Sequence, residues 1–204
     1  MDMMTEKELS RVRLRFIDVI KSFFLEEPDA EKMSRWRGIF ASLHGEHINP
    51  LFDAAVTDFC KLLTLKNLSD LQDEYYVLFT DPFNKRHVAT TASYYVDGRH
   101  HGETLAQFRG LLAKADLMKN ESVIDTEDSI PVMLDSLARL IEDEIAGSAT
   151  ARDYQTQLVV EFLEPLVESV YLILKDDDRA EFYETCSLFL KGYLDLERGL
   201  IMEM

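Results

Sequence analysis

The sequence has few of the residues that usually carry catalysis or hold a metal. It contains two cysteines and five histidines among 204 residues. Cys60 and Cys186 each stand alone among apolar residues, so they predict neither a disulfide framework nor a paired metal site, and they suit a reducing compartment. No glycine-rich phosphate loop of the GxGxxG or GxxxxGKS/T pattern occurs. These absences predict a protein that is not an enzyme, with no catalytic residue, no metal and no cofactor.

The histidines support the one enzymatic alternative. His44 and His47 are spaced so that a single turn would bring both side chains to one metal ion, and His87, His100 and His101 fall within one segment. A zinc site would need further cysteine, histidine or acidic ligands at a matching spacing, and none accompanies His44 and His47. A metal-dependent enzyme is therefore the least favoured hypothesis.

Long apolar runs are missing as well. No stretch approaches the roughly 20 apolar residues that are needed to span a bilayer. The N-terminal stretch MDMMTEKELSRVR lacks the apolar core of about 7 to 15 residues that is typical of a signal peptide. We therefore predict a cytoplasmic protein without stable membrane insertion.

Basic residues are scarce in the second part of the chain. Residues 1–120 hold 18 acidic and 16 basic residues, a net charge of −2, whereas residues 121–204 hold 20 and 6, a net charge of −14. Binding to a nucleic-acid backbone is disfavoured, because phosphates require clustered lysine and arginine. The acidity either serves solubility or attracts a basic partner by electrostatic steering.

The sequence does contain helical periodicity over most of its length. Apolar residues make up 47% of the chain and recur at spacings of three and four. No run with the period of a β-strand occurs, and Pro165 should kink or split a long helix. The acidic run Glu142–Glu144 is expected to be a solvated helix face. The pattern predicts an all-α fold of about eight to ten helices.

Capping residues mark several helix starts, because a side-chain oxygen can accept from the free N–H groups of a first turn. The predicted starts are Thr5-x-x-Glu8, Asn49-Pro50, Ser69-x-x-Gln72 and Asp128. With Asp128 as N-cap, Pro131 would fall at the third helical position, where no intrahelical donor is needed.

One long segment, residues 80–101, interrupts the helices. It contains the pair Tyr94-Tyr95 and three of the five histidines. Connections of this length without structure of their own are uncommon in compact domains, and they are usually functional or disordered. The aromatic and β-branched content argues against disorder. We expect a long irregular loop near 80–101 that packs against the helices as one wall of a groove.

Three stretches carry short motifs in a fixed order. They are EYYVLF at 74–79, ASYY at 92–95 followed by GETL at 102–105, and TEDSI at 126–130. Together they resemble the TorD/DmsD/NarJ family of cytoplasmic chaperones for molybdenum-containing redox enzymes. EYYVLF is similar to the E-Y-x-x-L-F helix end of that family, and GETL to its Gly-x-S/T-Leu helix start. TEDSI is placed like the family's P-E-D-H hinge, with Thr126 and Ser129 in place of its proline and histidine.

The resemblance implies a TorD-like helical bundle that binds rather than catalyses. The expected partner is the catalytic subunit of a molybdopterin oxidoreductase, recognised through its N-terminal leader, often a twin-arginine signal peptide. The chaperone would assist cofactor insertion and assembly before export by reversible binding. A leader is basic at one end and apolar after it, which an acidic helical protein with an aromatic loop would complement. The alternative is a helical adaptor for another basic or amphipathic protein.

Twelve residues in and beside these motifs are the predicted peptide-binding site. They are Tyr75, Leu78, Phe79, Tyr94, Tyr95, Gly102, Glu103, Thr104, Asp125, Glu127, Asp128 and Ser129. Core packing stays open as the alternative for the first three, and anchoring within the core for Tyr94 and Tyr95. Asp128 either only caps a helix or also presents its charge at a hinge. In the second case Asp125 and Glu127 would be the exposed carboxylates nearest to the arginines of a guest.

The chain is expected to form one domain over residues 1–204. Its helical halves, about 1–119 and 128–204, would be joined by a hinge at 120–127. Because such a hinge permits domain swapping, the expected assembly state is a monomer or a domain-swapped dimer.

Overall fold

The protein is all-α in residues 5–202, which are the residues described by the computed structural model. The described part forms ten α-helices and two π-helical segments, and its single β-bridge joins Thr91 and Ser129. The helices are α1 Glu6–Phe24, α2 Ala30–Leu43, α3 Pro50–Leu65, α4 Leu68–Tyr75, α5 Ala92–Val96, α6 Glu103–Lys114, α7 Ile130–Ile145, α8 Ala151–Gln157, α9 Glu164–Lys175 and α10 Glu181–Met202. The predicted all-α fold is therefore confirmed.

Local caps start several of these helices where the sequence predicts them. Thr5 and Glu8 exchange hydrogen bonds at the start of α1, and Asn49 Oδ1 accepts from the Phe52 N–H at 2.8 Å. The capping box of α4 is instead formed by Asn67 and Asp70, so the prediction of Ser69 and Gln72 for this role was wrong. Asn67 and Asp70 have the same spacing two residues earlier, and asparagine is at least as good an N-cap as serine.

The two π-helical segments lie inside longer helical stretches. Residues Tyr76–Thr80 continue α4, and Leu158–Leu163 join α8 to α9. Pro165 lies two residues beyond the second segment and cannot donate to the carbonyl four residues earlier. In the π-helical segment before the proline, each hydrogen bond joins residues five apart instead of four, and the helix continues past Pro165. Pro165 therefore interrupts the α-helical pattern without ending the helix.

The described residues divide into two compact units. The first unit comprises the chain up to Lys21, Thr90–Leu166 and the chain from Glu197 onward. The second comprises Ser22–Ala89 and Val167–Leu196. The predicted hinge at 120–127 lies within the first unit, and its role as a hinge stays a prediction.

The core of the second unit is a cluster of aromatic rings. Phe40 and Phe59 stack with their ring centroids 3.9 Å apart, and Phe189 meets both rings edge-on. Helix α10 approaches the start of α3 closely at Gly192, whose carbonyl accepts from Asn49 Nδ2 at 2.8 Å. The first unit has a mostly aliphatic core from α7 and its neighbours, with Phe108 and Phe162 in edge contact at 5.1 Å.

The two units carry the same net charge, whereas residues 1–120 and residues 121–204 differ in net charge. Residues 1–21, 90–166 and 197–204 hold 20 acidic and 12 basic residues, a net charge of −8. Residues 22–89 and 167–196 hold 18 and 10, also a net charge of −8. Both units are therefore acidic, and a difference in net charge between them cannot favour one unit as the site for a basic partner.

None of the helices in residues 5–202 is long and apolar enough to cross a membrane. Residues 1–4, part of the stretch on which the prediction about a signal peptide rests, lie outside the described residues.

Candidate peptide-binding site

The segment around Tyr94 is ordered by a buried carboxylate from a different part of the chain. Residues 92–96 form the short helix α5 inside the predicted irregular loop. The Ser93 N–H donates to Asp128 Oδ2 at 2.8 Å, and the Ala92 N–H donates to the Asp128 carbonyl at 2.9 Å. Thr126 Oγ1 donates to the other carboxylate oxygen at 2.7 Å. Asp128 therefore satisfies the first turn of α5, although it lies 35 residues further along the sequence.

This arrangement corrects the predicted start of α7. The N-cap of α7 is Ser129, and Pro131 falls at the second helical position rather than at the third. Asp128 was wrongly predicted as this cap, because the backbone hydrogen bonds at Thr90 and Ala92 hold residues 128–130 antiparallel to 90–92. That pairing turns the Asp128 side chain toward α5, and the side chain is fully buried.

A second remote cap explains the glycine of the GETL motif. Asp97, just after α5, accepts from the Thr104 N–H in the first turn of α6 at 2.9 Å. Gly102 is the N-cap residue of α6 and is buried against the Asp97 side chain. A Cβ on Gly102 would lie 2.6 Å from Asp97 Cβ and Cγ, and closer still to a carboxylate oxygen. Glycine is required here by this close approach.

Replacing Gly102 with alanine is expected to lower the free energy of unfolding by about 1–2 kcal/mol, the usual cost of losing an N-cap. Asp97 would have to rotate away from the new methyl group and release Thr104. Urea unfolding followed by circular dichroism measures the change. Gly110→Ala is the matched control in the same helix, because nothing lies within 4 Å of its Cβ position. That variant should gain about 0.5–1 kcal/mol from helix propensity. Equal stability of both variants would contradict the role of Asp97.

Tyr94 lies on the outer side of α5, within a small aromatic cluster. Its ring meets Tyr95 edge-on at 5.1 Å and His100 at 4.9 Å. His100 Nδ1 is 3.1 Å from Thr91 Oγ1, so the histidine is tied to the start of the same helix. Tyr94 is 39% exposed and Tyr95 is half-buried, which excludes the alternative that both rings are anchors deep in the core.

The predicted carboxylates near α5 differ in their exposure to solvent and in whether they already form an ion pair. Glu103 and Asp125 are exposed. Glu127 is half-buried and accepts from Arg109 Nη2 on α6 at 2.8 Å. This hydrogen bond from Arg109 lowers the pKa of Glu127, although partial burial opposes the shift. Glu127 is thus held in its charged form and already has a guanidinium partner.

The family model for the nitrate reductase delta subunit matches residues 46–172 of this chain. The chain belongs to this family. All twelve predicted site residues lie within the matched range. The nitrate reductase delta subunit family comprises maturation chaperones of the NarJ/TorD type rather than catalytic enzymes, so the resemblance read from the motifs is confirmed.

Comparison with solved structures finds a crystal structure from Archaeoglobus fulgidus described as a redox enzyme maturation protein. The similarity covers 88% of this chain and 93% of that chain, with 20% sequence identity and a TM-score of 0.49. No curated protein sequence matches this member of the delta subunit family.

The EYYVLF motif of this family member lies in the second unit, where its glutamate, Glu74, caps the first turn of α10. Glu74 Oε1 accepts from the N–H groups of Phe182 and Tyr183 at 2.7 and 2.9 Å, and Lys66 Nζ lies 3.3 Å from the other carboxylate oxygen. Burial raises the pKa of Glu74, while these hydrogen bonds and the ion pair with Lys66 oppose the shift. Sequence reasoning missed this role, because a cap 108 residues away in the sequence leaves no local signal.

The aromatic residues of the motif pack beside this cap. Phe79 meets Tyr183 edge-on at 4.9 Å, and Tyr75 lies 5.8 Å from the same ring. Leu78 is completely buried, whereas Tyr75 and Phe79 are half-buried. Leu78 is therefore a core residue, and Tyr75 and Phe79 keep part of their rings at the surface of the second unit.

The structure thus separates the twelve predicted residues into two places. The elements carrying nine of them adjoin one another in the first unit, and Tyr75, Leu78 and Phe79 belong to the second unit. Gly102, Thr104, Asp128 and Ser129 are buried and support the backbone. The members of the first unit with accessible side chains are Tyr94, Tyr95, Glu103, Asp125 and Glu127. Within residues 5–202, no three histidine, cysteine or acidic side chains are grouped closely enough to hold a metal ion.

Proposed function

We propose that this chaperone binds the N-terminal leader of a molybdenum-cofactor oxidoreductase subunit and holds that subunit until its cofactor is inserted and it is assembled. The proposed site is the surface of α5 with the adjoining residues 125–127 and the start of α6. One observation carries the proposal. An exposed tyrosine and exposed carboxylates are presented on short segments whose backbones are held by two caps, the buried Asp128 for α5 and the half-buried Asp97 for α6.

A leader of the twin-arginine type complements this surface chemically. Tyr94 and Tyr95 offer flat apolar area together with hydroxyl groups, a combination enriched at protein interfaces. Val96, at the end of the same helix, is 62% exposed and adds aliphatic area for the apolar part of a leader. Glu103 and Asp125 would pair with basic side chains, because carboxylate–guanidinium hydrogen bonds are among the stronger polar contacts.

Binding in this proposal is reversible and involves no covalent step. The buried residues Gly102, Thr104, Asp128 and Ser129 position the contacts without touching the guest. Such a preorganised backbone reduces the entropy lost on binding. Tyr75 and Phe79 are proposed as further apolar contacts on the second unit. The proposed location is the cytoplasm, and the proposed assembly state is a monomer or a domain-swapped dimer.

Titration with a synthetic twin-arginine leader peptide, followed by calorimetry or fluorescence anisotropy, tests the proposal. The peptide should bind at low salt and more weakly at about 0.5 M salt, because screening weakens exposed charge pairs. Tyr94→Ala should reduce the affinity about 5- to 30-fold, as truncation of an interface aromatic usually does. Leu172→Ala is the control, because Leu172 is 54% exposed on α9 of the second unit and is not among the proposed contacts.

The outcomes separate the functional alternatives. Absence of leader binding at both salt concentrations would overturn the leader-chaperone proposal. Equal affinity for unrelated basic amphipathic peptides would instead favour a general helical adaptor. Equal losses from Tyr94→Ala and Leu172→Ala would show that α5 is not the contact surface.

A further inference from the structure

The ion pair between Arg109 and Glu127 lies in a surface cleft of the first unit. Arg109 projects from α6 and its side chain is 56% exposed, whereas the Glu127 side chain is 17% exposed. The cleft has a volume of about 540 Å³ and runs along the end of α6 and the chain that follows it. The less exposed partner of the pair is thus the carboxylate, and the more exposed partner is the arginine.

The rest of the cleft combines apolar and acidic groups. Leu112, Leu117 and Met118 supply apolar lining, and Met118 is 95% exposed. Asp116 and Glu121 add two exposed carboxylates, and neither forms an ion pair within residues 5–202. Lys119 is turned to the backbone instead, where its Nζ donates to the carbonyls of Val123 and Asp125 at 2.8 and 2.5 Å. The available charge in the cleft is therefore mainly negative.

We propose that Glu127 is the receptor for an arginine of the bound leader, and that Arg109 occupies this receptor until the leader displaces it. The inference rests on the proposed leader binding and specifies where its basic end lies. The apolar residues that follow the arginine in the leader would cover Leu112, Leu117 and Met118.

The physical basis is an exchange of one guanidinium for another. A planar guanidinium fits a carboxylate through paired N–H donors, so an arginine of the leader would satisfy Glu127 as well as Arg109 does. Exposed ion pairs are worth little, about 0.2–1 kcal/mol, so Arg109 is released at small cost. The released Arg109 remains in water, and the carboxylate is never left without a partner. Arg109 would therefore set the affinity and help to keep binding reversible.

Arg109→Gln tests the exchange, because it removes the competing charge and leaves the receptor. Its affinity for a twin-arginine leader peptide should increase about two- to fivefold at low salt, the equivalent of one exposed ion pair. The gain should vanish at about 0.5 M salt. Glu127→Gln alone should change the affinity by less than about twofold, because it removes the receptor and its competition together, and in that background Arg109→Gln should no longer improve the affinity. A leader whose arginines are replaced by glutamine should not distinguish Arg109→Gln from the unchanged protein.

Arg139→Gln is the matched control, because Arg139 is 61% exposed and forms ion pairs with Glu142 and Asp143 in the same unit. It makes the net charge more negative by the same amount as Arg109→Gln and should leave leader affinity within about 1.5-fold of the unchanged protein. Equal gains from Arg139→Gln and Arg109→Gln would overturn the exchange in favour of a general charge effect. Leader binding that Arg109→Gln does not strengthen would overturn it while the proposed function stands. Absence of leader binding by every variant would overturn both.

Discussion

Replacing Glu197 with glutamine is expected to lower the free energy of unfolding by about 3–5 kcal/mol, the usual cost of breaking a buried ion pair. Arg13 donates to Glu197 through Nε at 3.0 Å and through Nη2 at 2.6 Å. The Glu197 side chain is completely buried and that of Arg13 is 7% exposed. Glu197 lies closer to Arg13 than Glu144 does, since Glu144 lies at 3.4 Å, and Gln155 is neutral.

Urea unfolding followed by circular dichroism measures this loss. Arg198→Gln is a control on the same helix, because its ion pair with Glu164 spans 3.5 Å and is partly exposed. That change should cost about 1 kcal/mol or less. The double variant Arg13→Met with Glu197→Leu should recover part of the stability lost by Glu197→Gln, since it removes the buried charges of both partners, while the buried Gln155 Oε1 loses its donor Arg13. A loss below about 1 kcal/mol for Glu197→Gln would contradict the assignment.

Replacing Asp128 with alanine is expected to cost about 2–4 kcal/mol of stability. The change removes a cap from α5, leaves the Ser93 N–H without its acceptor and frees Thr126 Oγ1. The lost cap and the unpaired Ser93 donor are the same hydrogen bond, whose loss costs about 1–3 kcal/mol, and the lost hydrogen bond of Thr126 adds about 1 kcal/mol. Asp128→Asn retains one acceptor oxygen and should cost about half as much. Thermal or urea unfolding of both variants gives the comparison.

Leader affinity distinguishes a supporting role of Asp128 from direct contact. Asp128 is completely buried, so the folded Asp128→Asn protein should bind a leader peptide within about twofold of the unchanged protein. Tyr94→Ala should show the opposite pattern, with near-normal stability and weakened binding. A variant of Asp128 that keeps its stability and loses leader affinity would show that the carboxylate meets the guest directly.

Patterns within a few residues predicted the secondary structure well. The periodic apolar positions, Asn49-Pro50 and the Thr5/Glu8 pair all describe interactions that close within one or two helical turns. A prediction from neighbouring residues alone was wrong for Asp128, which has the residue type and position of an N-cap for α7. Its carboxylate instead serves α5, because the pairing of Thr91 with Ser129 turns it away from its own helix.

The candidate site was only partly predictable for the same reason. Motif resemblance located the region around Tyr94, and the exposure of Tyr94 agrees with a contact role. The resemblance did not distinguish contacts from supports, so buried residues such as Thr104 and Ser129 were grouped with exposed ones. Glu144 shows a similar error. It was expected on a solvated face, but its side chain is 22% exposed and binds Arg13, Arg152 and Gln155.

The sequence by itself determined the all-α class, most helix starts and membership of a chaperone family, because these depend on short-range periodicity, caps and motif order. The tertiary structure decided the roles of the acidic residues. Glu74, Asp97 and Asp128 each accept from the first turn of a helix other than their own. It also divided the charge equally between two units whose segments alternate along the chain. A buried carboxylate needs donors from whichever segment packs against it, and that segment is set by the fold rather than by its neighbours in sequence.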